Sequence, residues 1–159
     1  MVTRHLAFYC TLSPTLTAEG AEDTQRNAED YVSTTDVNSV SGQVVDAAMR
    51  VHTVLGPGLL ESAYAACLSH ELRKRGLVVE TQVVVPIYYD GVRMDAAYRI
   101  DLLVERAVVV ELKAITQLLP VHEAQLLSHL RFADYRVGLL INFNVTRLKD
   151  GIKRMVNGA

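Results

Sequence analysis

The segment Val108-Val109-Val110-Glu111-Leu112-Lys113-Ala114-Ile115 sets an acid and a base two residues apart inside an apolar run of strand length. Alternate side chains of a strand share a face, so Glu111 and Lys113 emerge together while Val110, Leu112 and Ala114 pack the other way. Charges in mid-strand are costly unless each has a partner. An isolated Glu-x-Lys fits a solvent-facing strand equally well, but the preceding strand adds a second acid, in Ile100-Asp101-Leu102-Leu103-Val104. A turn near Arg106 puts Asp101 opposite Glu111, within the cross-strand reach of about 5 Å between Cβ atoms. Two such carboxylates repel unless a cation or proton lies between them, and oxygen ligation with open positions suits Mg²⁺ or Mn²⁺.

These residues need a scaffold, and periodicity supplies one. Val44, Val45, Ala48, Val51, His52 and Leu55 recur at helical spacing until Gly56-Pro57-Gly58 stops the run. A second helix carries Leu59, Leu60, Ala63, Tyr64, Cys67, Leu68 and Leu72, with Arg73-Lys74-Arg75 in its last turn and Gly76 as its cap. Residues 79–89 read as a strand, Asp90-Gly91 as a hairpin turn, and residues 94–104 as the returning strand. After the Glu-x-Lys strand, Pro120 opens a helix to Tyr135, residues 137–143 form a buried strand, and residues 145–156 are expected to close as a basic helix. The domain is therefore expected to be α/β, its last strand joined to the sheet through a crossover helix.

The 159 residues suit one domain, and 50% hydrophobic composition is enough to fill a core. Apolar stretches fall far below the roughly 20 residues of a membrane-spanning helix, so no membrane partner is expected. Cys10 and Cys67 have no framework or zinc-knuckle spacing, and a reducing, cytoplasmic compartment is expected. Net charge is -2 overall, but residues 1–40 hold two basic and six acidic residues, leaving 14 basic and 12 acidic in the rest. Residues 13–40 lack apolar periodicity, so 1–40 are expected to be a poorly ordered acidic leader and 41–159 the folded domain. The apolar patch Leu6 to Leu12 is too short to read as a signal peptide.

Taken together, Gly58-Leu59-Leu60-Glu61-Ser62-Ala63-Tyr64, Tyr98-Arg99-Ile100-Asp101, Val110-Glu111-Leu112-Lys113, Ala124-Gln125-Leu126-Leu127 and Leu139-Leu140-Ile141-Asn142-Phe143 resemble the PD-(D/E)xK nuclease superfamily. More narrowly, they resemble the family named for its G-x-x-E-x-x-Y motif. The resemblance implies a restriction-endonuclease-like αβββαβ core and a metal-dependent hydrolase of phosphodiester bonds acting on DNA. It casts Asp101, Glu111 and the Leu112 carbonyl as ligands of Mg²⁺ or Mn²⁺, Glu61 as an extra acid brought to the metal, Lys113 as the group assisting the water, and Gln125 as a helical residue orienting the site. It also implies nucleic acid as partner, with a homodimer by analogy. Two positions depart from the pattern: Ile100 stands where the name-giving Pro would be, and His129 where relatives commonly have Tyr. The rival expectation is a non-catalytic nucleic-acid- or partner-binding module on the same fold.

Other residues read more plainly. His52, on an apolar stripe, is expected to be a packed, hydrogen-bonded core residue, and Tyr64 a packing residue with a satisfied hydroxyl. His122, Gln125 and His129 share a helical face and are expected to be polar, groove-facing groups rather than metal ligands. Arg73-Lys74-Arg75 and Arg147, Lys149, Lys153 and Arg154 fit either phosphate contacts or solvated helix ends.

Overall fold

The structure, a computed structural model, describes residues 36–158, with nothing stated of the side chains of residues 95–97. Most of the expected leader, including Leu6 to Leu12 and Cys10, lies outside the described residues. The first helix, α1, spans Val37–Leu55, starting earlier than the periodicity indicated. Asp36 caps it by accepting the Asn38 amide at 3.0 Å. Residues 37–40 therefore belong to the folded unit, and Val40 is part of its core.

Helix α2 spans Glu61–Lys74. The connection between the two helices takes positive φ at Gly56 and Gly58, 67° and 101°, which explains the Gly-Pro-Gly sequence as a helix-to-helix turn. Next come β1 (Val79–Tyr89), β2 (Val92–Val104) and β3 (Val108–Lys113), then helix α3 (Pro120–Phe132) and β4 (Val137–Asn142). The order of these elements matches the sequence reading.

The chain's end does not. In place of a basic helix over 145–156 there is a short 3-10 turn, Leu148–Gly151, followed by strand β5, Ile152–Val156, antiparallel to β4. In this edge strand Ile152 leans on the α1/α2-side cluster and Met155 on the α3-side one, while Lys153 and Arg154 between them are exposed. Pairing with β4 supplies partners for an edge whose backbone groups would otherwise go unmet, and that outweighs helical propensity in a segment this short.

The five strands form one sheet in the order β1-β2-β3-β4-β5, with only β3 and β4 parallel. Helix α3 is the crossover between those two. Helices α1 and α2 cover one face, where Val44, Leu68, Leu72, Leu102, Val110, Leu112, Leu139 and Ile141 form the larger apolar cluster. Helix α3 covers the other, where Leu126 and Leu130 pack on Ile100, Leu103, Val109 and Leu140. Gly138 lets α3 approach closely, since a Cβ there would meet the Leu126 side chain at 2.8 Å.

β3 thus alternates as its sequence requires: Val108, Val110 and Leu112 join the α1/α2 side, and Val109 the α3 side, with Glu111 in contact with α3 at His129. Among the described residues no helix is long and apolar enough to cross a membrane.

Candidate active site

The β2–β3 ladder pairs Val104 with Val108, Leu103 with Val109 and Leu102 with Val110, then stops. The next step in this register would match Asp101 with Glu111, as turn geometry in the sequence suggested. Instead of continuing the ladder, β2 turns over at Asp101: Ile100 packs on the α3 side and Leu102, two residues on, on the α1/α2 side. Gln82, the residue of β1 beside Asp101, takes the left-handed φ of 53° at the same level and reaches Asp101 Oδ1 at 3.3 Å. The two strands part here, and the site lies in the fork.

Asp101 bridges the gap with its side chain, Oδ2 accepting the Leu112 amide at 2.9 Å in place of a ladder carbonyl. The N–H and C=O of one strand residue point the same way, so the Leu112 carbonyl also faces the fork. The neighbouring Lys113 carbonyl points oppositely, to β4, where it accepts the Phe143 amide at 2.8 Å.

Glu111 and Lys113 emerge on one face, as alternation dictated, and pair at 2.7 Å between Oε1 and Nζ. They are not a solvent-facing pair: the Glu111 side chain is 3% exposed and that of Lys113 13%. Glu111 Oε2 lies 3.3 Å from His129 Nδ1 on α3. That contact does not reach hydrogen-bond geometry, and among the described residues neither Oε2 nor either His129 nitrogen has a hydrogen-bond partner.

Electrostatics ties a fourth side chain to the fork. Burial pushes the Glu61 carboxyl up, the Lys113 ammonium pulls it back, and the Asp101 and Glu111 carboxylates reinforce the rise. Burial first, then the Glu111 carboxylate, also raises Asp101 above the usual aspartate range, against the Leu112 amide and Lys113. Burial acts upward on Glu111 too, but His129 and Lys113 beside it hold the group below its ordinary value. The three acids thus feel one another and share a single cation, Lys113, an arrangement that a further positive charge would relieve. Glu61 is positioned for this by opening α2 directly after the Gly56–Gly58 turn.

That turn is pinned by Tyr64, whose hydroxyl donates to the Gly56 carbonyl at 2.7 Å and accepts the Leu59 amide at 3.1 Å. The Tyr64 ring stacks on Phe143 with centroids 4.4 Å apart, so this residue is structural, as expected. His52 is likewise a satisfied core residue, its Nε2 2.8 Å from the Val145 carbonyl oxygen.

The expected polar face of α3 divides into three. His122 Nδ1 accepts the Leu119 amide at 3.0 Å and closes the helix start. Gln125 is half-buried, and no hydrogen bond joins it to the acids among the described residues. His129 does not face a groove; at 1% exposure it is sealed inside, its ring meeting Tyr98 edge-on at 4.8 Å.

One buried residue carried no role in the sequence reading. Asn142 sits beside Lys113 in the parallel register and is 1% exposed. Its carboxamide donates to the Ile115 carbonyl at 2.8 Å and accepts the Ile115 and Asn144 amides at 3.1 and 3.2 Å. It fixes the exit of the chain from β3 just past Lys113. A lone Asn at the end of an apolar strand was the available signal.

Among the basic residues, Arg147 pairs with Asp150, Lys153 with Glu123, and Arg154 donates to Asn38. Arg73 donates to the Val79 carbonyl and Arg75 pairs with Glu71. These groups meet neighbours of the same chain.

Asp101, Glu111 and the Leu112 carbonyl are all hard oxygen donors around one fork, which fits a divalent ion. Among the described residues no three His, Cys, Asp or Glu side chains converge closely enough to hold one by side chains alone, so a backbone carbonyl and water would have to complete the shell. Asp101 Oδ2 and Glu111 Oε1 are turned to Leu112 N–H and Lys113.

The fold is a five-stranded mixed sheet with helices on both faces, and an Asp and a Glu-x-Lys strand meet at the point where two of its strands part. Residues 38–155 match the family model of the PD-(D/E)XK nuclease superfamily, and the chain belongs to that superfamily. Its fold is accordingly restriction-endonuclease-like, and superfamily nucleases generally use divalent metal ions. No curated protein and no solved structure matches the chain.

Proposed function

We propose that the protein hydrolyses phosphodiester bonds of DNA, using Mg²⁺ or Mn²⁺ held by Asp101, Glu111 and the Leu112 carbonyl, with Glu61 as an additional acid. The fork carries this reading: the β2–β3 ladder ends one step before Asp101 and Glu111, leaving oxygen donors and Lys113 together where backbone pairing would otherwise fill the space. A bound ion supplies positive charge for the phosphoryl oxygens and lowers the pKa of water. Lys113 holds the attacking water by donating to it and contributes fixed positive charge that stabilises the hydroxide as it forms. Gln125, one turn before His129 on α3, is assigned to orienting substrate. The motif Gly58-Leu59-Leu60-Glu61-Ser62-Ala63-Tyr64 places the chain, in this reading, in the narrower G-x-x-E-x-x-Y family. Residues 1–35 are assigned to an acidic leader outside the nuclease domain, and the protein to a reducing cytoplasm. Exposed Val84, Tyr88, Tyr89 and Val92 on the β1–β2 hairpin support pairing of two copies.

One observation favours a second reading, a binding module without catalysis: Asp101 and Glu111 each already have an internal partner. Titration calorimetry with Mn²⁺ separates the two. Wild type is expected to bind in the millimolar range or tighter and Asp101→Asn to lose most of that affinity; a wild-type protein silent at millimolar ion overturns the hydrolase. Linear, branched and single-stranded DNA and RNA incubated with Mg²⁺ then identify the substrate.

A further inference from the structure

We infer that His129 is a positioning residue for Glu111, selecting which carboxylate oxygen faces the fork. The inference deepens the metal-site reading and rests on Glu111 being an ion ligand. Glu111 has two oxygens in unlike surroundings: Oε1 meets Lys113 at 2.7 Å, while Oε2 is turned inward, 3.3 Å from His129 Nδ1. The imidazole is 1% exposed and packed between sheet and helix, so it touches neither solvent nor substrate and acts only through Glu111.

Its orientation is fixed from behind. Tyr98 contacts the ring edge-on at 4.8 Å, and Tyr98 is itself stacked on Phe132 with centroids 5.5 Å apart. A buried imidazole whose nitrogens lack partners among the described residues is costly to keep, and an aliphatic side chain would fill the same space without that cost. Among the described residues the charged group in contact with it is the Glu111 carboxylate, 3.3 Å from Nδ1, so the benefit that offsets the cost lies there. A small rotation of either group brings Nδ1–H onto Oε2, leaving Oε1 as the single oxygen offered to Lys113 and an ion. Outer-shell partners of this kind orient a ligand and are generally worth about 10–100-fold in metal affinity.

The test compares His129→Leu with His129→Gln, whose carboxamide can still donate to Oε2. The Leu variant is expected to melt at or above the wild-type temperature yet bind Mn²⁺ about 10–100-fold more weakly, while Gln restores most of the affinity. A packing role alone predicts the reverse, with melting temperature lowered and affinity kept; a Leu variant with wild-type affinity overturns the inference. Ion-free crystal structures supply a readout that survives failure of the metal reading. Glu111 is expected to leave its wild-type rotamer in His129→Leu and to keep it in His129→Gln. An unmoved Glu111 in the Leu variant overturns the positioning role even if wild type binds no ion.

Discussion

His52 and His129 lie buried on opposite sides of the same sheet, and only the first has a hydrogen-bond partner among the described residues. His52 belongs to the α1/α2 face, where Tyr64 also has both its hydroxyl contacts satisfied and the buried polar groups include uncharged Ser41 and Ser69, the Ser69 hydroxyl without a partner among the described residues. His129 belongs to the α3 face, where Glu111, Lys113 and Asn142 are inserted among Leu126, Leu130 and Leu140. One strand, β3, contributes to both. The difference teaches where this molecule tolerates polar groups at electrostatic cost: the α1/α2 face is arranged for stability, and the α3 face near the fork holds charges whose partners are few and shared.

The sharpest way to break that contrast is Lys113→Ala. It removes the ammonium that the acids share, and hydrolysis is expected to fall by about 10²-fold or more. An unpartnered lysine would have made the same change neutral or stabilising, but the buried pair with Glu111 reverses that expectation. Breaking a buried ion pair from one side costs about 3–5 kcal/mol, so urea denaturation at neutral pH should show a clear loss that narrows in acid, where Glu111 protonates. Equal stability at pH 7 would mean Glu111 and Lys113 do not depend on one another.

On the other face, Leu139→Ala deletes a 1% exposed side chain from the larger apolar cluster. A cost of about 2–5 kcal/mol is expected from the lost burial and the cavity. Cleavage per folded molecule should change little, because the substitution leaves every polar group of the fork in place. A rate loss that persists after correction for the folded fraction would show the two faces to be coupled.

The pH dependence sharpens the comparison further. Burial and the Glu111 carboxylate raise Asp101, so the folded protein holds that proton more tightly than the unfolded chain does. The associated stability is fully present below the unfolded value, about 3.9, and is lost as pH rises through the folded one. Glu61 has the same sign, and Glu111, lowered by His129 and Lys113 against burial, has the opposite sign: its contribution is present above the ordinary value and lost as pH falls through the lowered one. Thermal melts without divalent ions from pH 4 to 7 should therefore decline less steeply for Asp101→Asn than for wild type. Parallel curves would remove Asp101 from the coupled set.

The smallest effect is expected from Tyr64→Phe, which deletes the hydroxyl holding the Gly56 carbonyl and Leu59 amide but keeps the stack on Phe143. About 1–2 kcal/mol of stability should be lost, read by denaturant midpoint. A loss of hydrolysis larger than that would show the Gly56–Gly58 turn to be positioning Glu61.

Alternation and helical spacing foretold all of the elements from α1 to β4, because their apolar patterns are long enough to have one period each. The segment after β4 misled: Arg147, Lys149, Lys153 and Arg154 read as a helix face, whereas Ile152–Val156 forms a strand chosen by the open edge of β4. The start of α1 was hidden for a similar reason. Val37 and Val40 sit in an acidic, Ser/Thr-rich stretch, and they become helical by packing on the sheet and through the Asp36 cap.

The sequence by itself determined that Glu111 and Lys113 share a face, since a strand's two-residue period allows nothing else, and that a turn near Arg106 brings Asp101 to the level of Glu111. Tertiary structure alone decided that the ladder breaks at that level, that His129 closes over Glu111, and that Asn142 fixes the chain beyond Lys113. Those outcomes depend on the left-handed backbone at Gln82 and the seating of α3 on Gly138. They arise from contacts between residues far apart in the chain, which no local period encodes.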